Sequence, residues 1–204
     1  MDIDFSKLSI PFREHVDLWE KADKFRKQYW IEDIPVDIEL IAERDLDMLM
    51  IPVEGLMYKA HTDAFISGDL KEIIYDPGLP DVRIRFSVAH EIGHYILHRD
   101  IIQKLRPGSY DEWKEIQLKI PEALWGRAEY QAREFAGRVL VPPEQLKATI
   151  KDLETLINQA KESIPDLEEE AAREFVSGKI SRKFFVSAEV IKKRLEVENI
   201  LIVS

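Results

Sequence analysis

The chain has 204 residues, no cysteine and a formal net charge of −10. Its length suits one domain, or one domain with a small appendage, and a 45% hydrophobic content favours a packed core over disorder. The lack of cysteine excludes disulfide scaffolds, thiolate zinc sites and cysteine nucleophiles, and the negative charge argues against broad nucleic-acid binding.

The N-terminal stretch MDIDFSKLSIPFREH carries acids where a signal peptide has a basic region. Apolar runs such as MLMIPV are too short to span a bilayer, so a cytoplasmic protein with no membrane partner is expected. Residues 14–44 read as helices broken near Ile34 and Pro35. The second of them starts at Pro35 or Val36 and carries Ile38, Ile41 and Ala42 at helical spacing. Residues 47–77 read as β structure: MLMIPV is a short strand, and AFISGDLKEIIYD is two short runs around Ser67, Gly68 and Asp69, a hairpin signal. Residues 79–142 read as helices around a long connection, with Pro80 in the first turn of a helix reaching His98. Beyond them, Pro142 and Pro143 open a helix with Leu146, Ile150, Leu153 and Ile157 on one stripe, followed by the acidic residues Glu168, Glu169 and Glu170.

The chemistry is concentrated in RFSVAHEIGHYILH, residues 85–98, where His90, Glu91 and His94 form an H-E-x-x-H motif. Histidines four apart stand one above the other on a helix, about 5–6 Å between Cβ atoms, so two imidazoles can meet one ion. Glu91 lies about 100° round the helix from His90. There it can take a proton from a metal-activated water and pass it to a leaving amine. Val82, Phe86, Ala89, Gly93 and Ile96 or Leu97 form an apolar stripe, with the histidines at its margin.

A catalytic zinc needs a third protein ligand. The extended motif that ends in a third histidine is absent, because Leu97 and Asp100 occupy its glycine and histidine positions. The remaining option is a glutamate on a later helix, in RAEYQAREFAGRVLVP, residues 127–142. Glu129 shares an apolar, alanine-lined stripe with Ala132, Ala136 and Leu140, where a carboxylate is costly unless paired or metal-bound. Glu134 lies about 140° away and shares no such face. The alanines also let two helices approach closely.

The segments RFSVAHEIGHYILHRD, EYQAREFAGRVLVP and KFFVSAEVIKKRL together resemble the ImmA/IrrE family of bacterial and phage metallopeptidases. The resemblance covers roughly residues 20–204, and its specific part is confined to 83–142. It implies an α+β, zincin-like fold in which a thermolysin-like active-site helix lies beside a small mixed β-sheet. It also implies a peptidase domain over residues 1–142 and a helical, helix-turn-helix-like region over 143–204 packed on it. Zinc ligands at His90, His94 and Glu129 and a base at Glu91 follow, with a helix-turn-helix repressor or related regulator as the protein substrate. Manganese or iron would also suit two imidazoles and a carboxylate. Two departures stand out: Arg133 replaces an asparagine common after the alanine, and the connection from His98 to Glu129 is long. That connection, with Leu105, Trp113, Ile116, Ile120 and Trp125, either roofs the cleft or packs on the core.

Three further expectations concern substrate. Peptidases of this architecture bind substrate as an added strand, and segments 64–67 and 72–75 are the candidate edges. A helper for the tetrahedral intermediate is expected, with His98 better placed on the helical wheel than Tyr95 or Tyr130, while His15 and His61 carry no pattern. Residues 179–194 resemble a helix-turn-helix with its second helix capped by Ser187. They hold Lys179, Arg182, Lys183, Lys192, Lys193 and Arg194, yet residues 143–204 have ten basic residues against twelve acidic, so direct nucleic-acid binding is not expected.

Overall fold

The computed structural model describes residues 5, 8–30, 33–105, 110–164 and 166–203. Helix α1 (His15–Tyr29) buries Leu18, Ala22 and Phe25, one stripe at helical spacing. Asp37 then caps a single helical turn, Ile38–Leu40, by accepting the Leu40 N–H at 3.0 Å. This turn runs on into a π-helical turn, Ile41–Asp45, and the two together are α2. The expected helix therefore begins after Pro35 and Val36, and Ile38, Ile41 and Ala42 are all buried.

Strands β1 (Leu49–Pro52), β2 (Ala64–Ile66) and β3 (Glu72–Tyr75) form a small mixed sheet in the order β1-β3-β2. β3 pairs parallel with β1 and antiparallel with β2. The β2–β3 turn is held by the Ser67 hydroxyl, which accepts the Glu72 N–H at 3.0 Å. A short helix, α3 (Leu56–Ala60), lies between β1 and β2, within the stretch expected to be purely β. Asp76, just past β3, accepts the Met57 and Gly78 N–H groups at 2.9 Å each and so ties the start of α3 to the sheet.

Helix α4 (Asp81–Leu105) is buried over most of its circumference, because α2, the sheet and a later helix, α6 (Glu122–Leu140), all pack on it. This corrects the single-stripe reading: Ala89, Gly93 and Leu97 are buried, Val82, Phe86 and Ile96 only half-buried, and Arg85, Val88 and Ile92 join the interior. Gly93 permits the closest approach. A Cβ there would lie 2.9 Å from the Ala132 carbonyl oxygen and 3.1 Å from the Ala132 Cα. The connection after His98 is largely helical. α4 continues to Leu105, and α5 (Tyr110–Lys119) follows residues 106–109, which lie outside the described set. Leu105, Trp113, Ile116 and Ile120 form a satellite cluster with Leu56 and Phe65, separate from the main core.

The C-terminal stretch folds as α7 (Pro143–Lys151), α8 (Glu154–Ser163), α9 (Glu169–Phe184) and α10 (Ala188–Val197). The expected stripe from Leu146 to Ile157 is thus split over two helices, although Leu146 and Ile157 are both buried. Ser187 caps α10, accepting the Val190 N–H at 3.3 Å. One continuous core contains residues of α1, α2, the sheet, α4, α6, α9 and α10. Arg85 clamps distant parts of it. The guanidinium donates to Glu39 at 2.9 Å, to the Val36 carbonyl and, at 3.3 Å, to the Phe185 carbonyl in the α9–α10 turn. No described helix is long and apolar enough to cross a membrane.

Two predictions follow from these contacts. Gly93→Ala should destabilise the fold by about 1–3 kcal/mol in chemical denaturation, despite a gain of roughly 1 kcal/mol in helix propensity. The backbone N–H groups of Met57 and Gly78 hold the Asp76 carboxyl below its ordinary range, so its contribution to stability is present above that range and lost as pH falls through the lowered value. Asp76→Asn should therefore be less stable than the wild type at neutral pH. The gap should narrow in denaturation curves taken below about pH 3.9.

Candidate metal centre

One turn of α4 carries His90 and His94, and α6 brings Glu129 across to them. The ligating atoms of the three side chains lie within 4.8 Å of one another. His94 Nε2 is 3.0 Å from His90 Nε2 and 3.2 Å from Glu129 Oε1, and His90 Nε2 is 3.2 Å from Glu129 Oε2. A tetrahedral ion with bonds of about 2.0–2.1 Å separates its ligand atoms by roughly 3.3 Å, so this triangle has the dimensions of a zinc face. Two imidazoles and a carboxylate are also a donor set suited to zinc. These residues could therefore hold one divalent ion.

The centre opens on a cleft of about 470 Å³ whose walls include His90, Glu91, His94 and Glu129. Glu91 is buried, and its Oε2 accepts the Ile66 N–H of β2 at 2.9 Å. No donor among the described residues is assigned to Oε1. Burial, together with the nearby Glu129 charge, pushes the Glu91 carboxyl well above the usual range, against the Ile66 hydrogen bond. Burial also pushes Glu129 upward, but hydrogen bonds and charge from His90 and His94 outweigh it and leave that carboxyl strongly acidic. Burial lowers His94.

His98 does not reach the cleft. The backbone kinks at this residue (φ −130°, ψ 17°), four residues after His94 and so on the same side of the helix. It sits behind His94, with the two Nδ1 atoms 3.1 Å apart, and its Nε2 is 3.0 Å from Gln131 Oε1. Burial and the neighbouring His94 lower its pKa to about 3. Tyr95 and Tyr130 are not among the cleft walls either, whereas His61, at the end of α3, is. Nothing in the spacing of His61 could have signalled this.

Trp125 was legible only as part of an apolar connection. Its ring stacks on His94, 5.7 Å between centroids and 7° between planes, and meets Trp113 edge-on at 5.1 Å. Both tryptophans line the cleft, so the start of α6 and helix α5 wall it on that side. Of the candidate edges, segment 72–75 is the central strand β3, paired on both sides. β2 is the edge strand beside the cleft, with Ala64 on its wall.

Glu134 is also buried, contrary to the expectation that it shares no interior face. Its partner is Arg194 of α10, whose guanidinium donates to Glu134 Oε2 at 3.1 Å. Arg194 also contacts Glu198, and Arg138 donates to Glu198 at 2.6 Å and to Asp23 at 2.7 and 2.9 Å. This ionic chain joins α1, α6 and the end of α10. Elsewhere on the basic segment, Lys183 pairs with Asp152, Lys192 with Glu170 and Lys193 with Glu196.

Residues 52–196 match the family model of Peptidase M78, the IrrE N-terminal-like domain. Among solved structures, a Mycobacterium tuberculosis transcriptional regulator is similar at a TM-score of 0.52 and 15% identity, over 89% of this chain. The likeness is one of fold, and the aligned part is 46% of that regulator's length. No curated protein matches significantly.

The two α6 glutamates should separate cleanly by mutation. Glu129→Ala should weaken zinc binding, read by chelator competition, by at least tenfold while leaving thermal unfolding nearly unchanged. Glu134→Ala should keep zinc affinity but lower stability by about 1–3 kcal/mol, because it removes one of the two carboxylates that pair the buried Arg194 guanidinium.

Proposed function

The chain belongs to the Peptidase M78 family of IrrE N-terminal-like domains, and on that premise we propose that it is a zinc-dependent endopeptidase acting on a protein substrate. The observation that carries this reading is the convergence of His90, His94 and Glu129 on one point, in a cleft whose wall includes Glu91. A zinc ion bound there supplies Lewis acidity to a water molecule and to a peptide carbonyl. Glu91 is the general base: it takes the proton of the attacking water and returns it to the leaving amine. The Ile66 N–H holds one carboxyl oxygen of Glu91 and so fixes the direction in which the other works. The substrate lies along the free side of β2, near Ala64, as an added strand. Trp113 and Trp125 shield the opposite wall from bulk water.

On this reading residues 1–142 are the catalytic part and 143–204 a helical region that packs on it. A helix-turn-helix regulator is the substrate class we favour, from the likeness of the segments around the motif to the ImmA/IrrE peptidases. Direct DNA contact through α9 and α10 gains little support. Arg194 is buried, and Lys183, Lys192 and Lys193 are each paired with an acid, which removes much of the free charge that phosphate binding needs.

The test is cleavage of candidate repressors by the zinc-loaded protein, with and without chelator. Glu91→Gln should retain zinc and lose cleavage by about 10²–10⁴-fold. A Glu91→Gln protein as active as the wild type would overturn the assignment of the base.

A further inference from the structure

Behind the metal-facing side of His94 runs a line of hydrogen bonds that ends on a group with a single possible role. The Pro11 carbonyl oxygen can only accept. It lies 2.8 Å from Gln131 Nε2, so the amide NH2 of Gln131 faces Pro11 and donates. The carbonyl Oε1 of Gln131 is thereby turned towards His98 Nε2, 3.0 Å away. An amide oxygen also only accepts, so His98 Nε2 carries the proton. His98 is 3% exposed, and no carboxylate is paired with it among the described residues, a setting in which an imidazolium is costly. With its proton on Nε2, the neutral His98 ring presents a lone pair at Nδ1. That lone pair meets His94 Nδ1 at 3.1 Å, and His94 Nδ1 must then be the donor. The proton of His94 is thus held on the far side of its ring, and Nε2, the atom beside His90 and Glu129, keeps its lone pair.

We propose that Gln131 and His98 are positioning residues that lock His94 in the Nδ1–H tautomer, with Nε2 prepared as a metal ligand before any ion arrives. The inference rests on the zinc reading for its purpose but not for its geometry. Each direction follows from the one before it, starting at a backbone carbonyl 120 residues away in sequence from Gln131. A ligand histidine whose other ring nitrogen is fixed by a hydrogen bond is oriented and made more basic, and loss of such a partner costs ten- to a hundredfold in metal affinity. Here the partner is itself a histidine, which could donate or accept. Gln131 removes that ambiguity, and Pro11 in turn removes the ambiguity of Gln131.

The tautomers can be read directly by two-bond ¹H–¹⁵N correlation spectra of the ¹⁵N-histidine-labelled, chelator-treated protein at neutral pH. The wild type should show His98 protonated on Nε2 and His94 on Nδ1. The opposite tautomer at either residue would overturn the proposal, whether or not the protein cleaves anything. Gln131→Leu should release the preference, giving mixed tautomers at His98 and His94. It should also weaken zinc binding in chelator competition by about two- to fivefold, the loss expected when only part of the His94 population holds the competent tautomer, with the circular dichroism spectrum unchanged. Unchanged tautomers and unchanged affinity in Gln131→Leu would refute the role of Gln131. Should the wild type bind no zinc while showing the expected tautomers, the metal reading would fail and the relay would stand.

Discussion

Helices α4 and α6 lie backbone against backbone, and the candidate centre depends on that contact. Gly93 sits between the two histidines of the motif and has the Ala132 backbone where a side chain would otherwise be. Only at this separation can a side chain as short as glutamate, one turn before Ala132, reach both imidazoles. The same packing brings Gln131 against His98 and Phe135 against the Gly93 position. A centre built from two helices is therefore set chiefly by one glycine and a few alanines, and the sheet supplies the third wall through the Ile66 N–H.

Three carboxylates are associated with this interface, and each is stabilised differently. Glu129 meets two imidazoles, Glu91 a backbone N–H, and Glu134 a guanidinium from the last helix. A buried carboxylate must be paired, hydrogen-bonded or protonated, and the three partners sort the residues by role. The guanidinium leaves Glu134 as a tie between the C-terminal helices and the core. The imidazoles draw Glu129 into a metal-sized triangle. Glu91 has a backbone donor in Ile66 and a cleft in front of it, the setting that the proposed base requires.

Much of this was legible in the amino-acid sequence, for reasons that can be named. The spacing of His90 and His94 and the alanine stripe under Glu129 are local features of single helices, and helical geometry carries them into space intact. Short strands and a hairpin follow from apolar runs and a Ser-Gly-Asp turn, while a mixed sheet is what the family resemblance implies. Features that depend on partners far along the chain were not legible. The burial of Glu134 requires Arg194, sixty residues on. Helical spacing sets His98 near both Glu91 and His94, and its choice of His94 goes with a partner on another helix, Gln131. Helices α3 and α5 are short, and the burial that supports them comes from the satellite cluster joining Leu56, Phe65 and Trp113. A centrally packed helix such as α4 also defeats a one-stripe reading, because it is covered from several directions at once.

The C-terminal helices take their place in this account through packing. The Arg85 clamp on the Phe185 carbonyl and the ionic chain through Arg194 anchor them to the two helices that carry the centre. The central claim remains the convergence of three donors on one ion, and zinc K-edge X-ray absorption on the zinc-loaded protein tests it most directly. The account predicts one zinc per chain in a four-coordinate shell of nitrogen and oxygen at about 2.0–2.1 Å, with the outer-shell signature of two imidazoles. A spectrum of fully hydrated zinc, or one that lacks imidazole scattering, would contradict it.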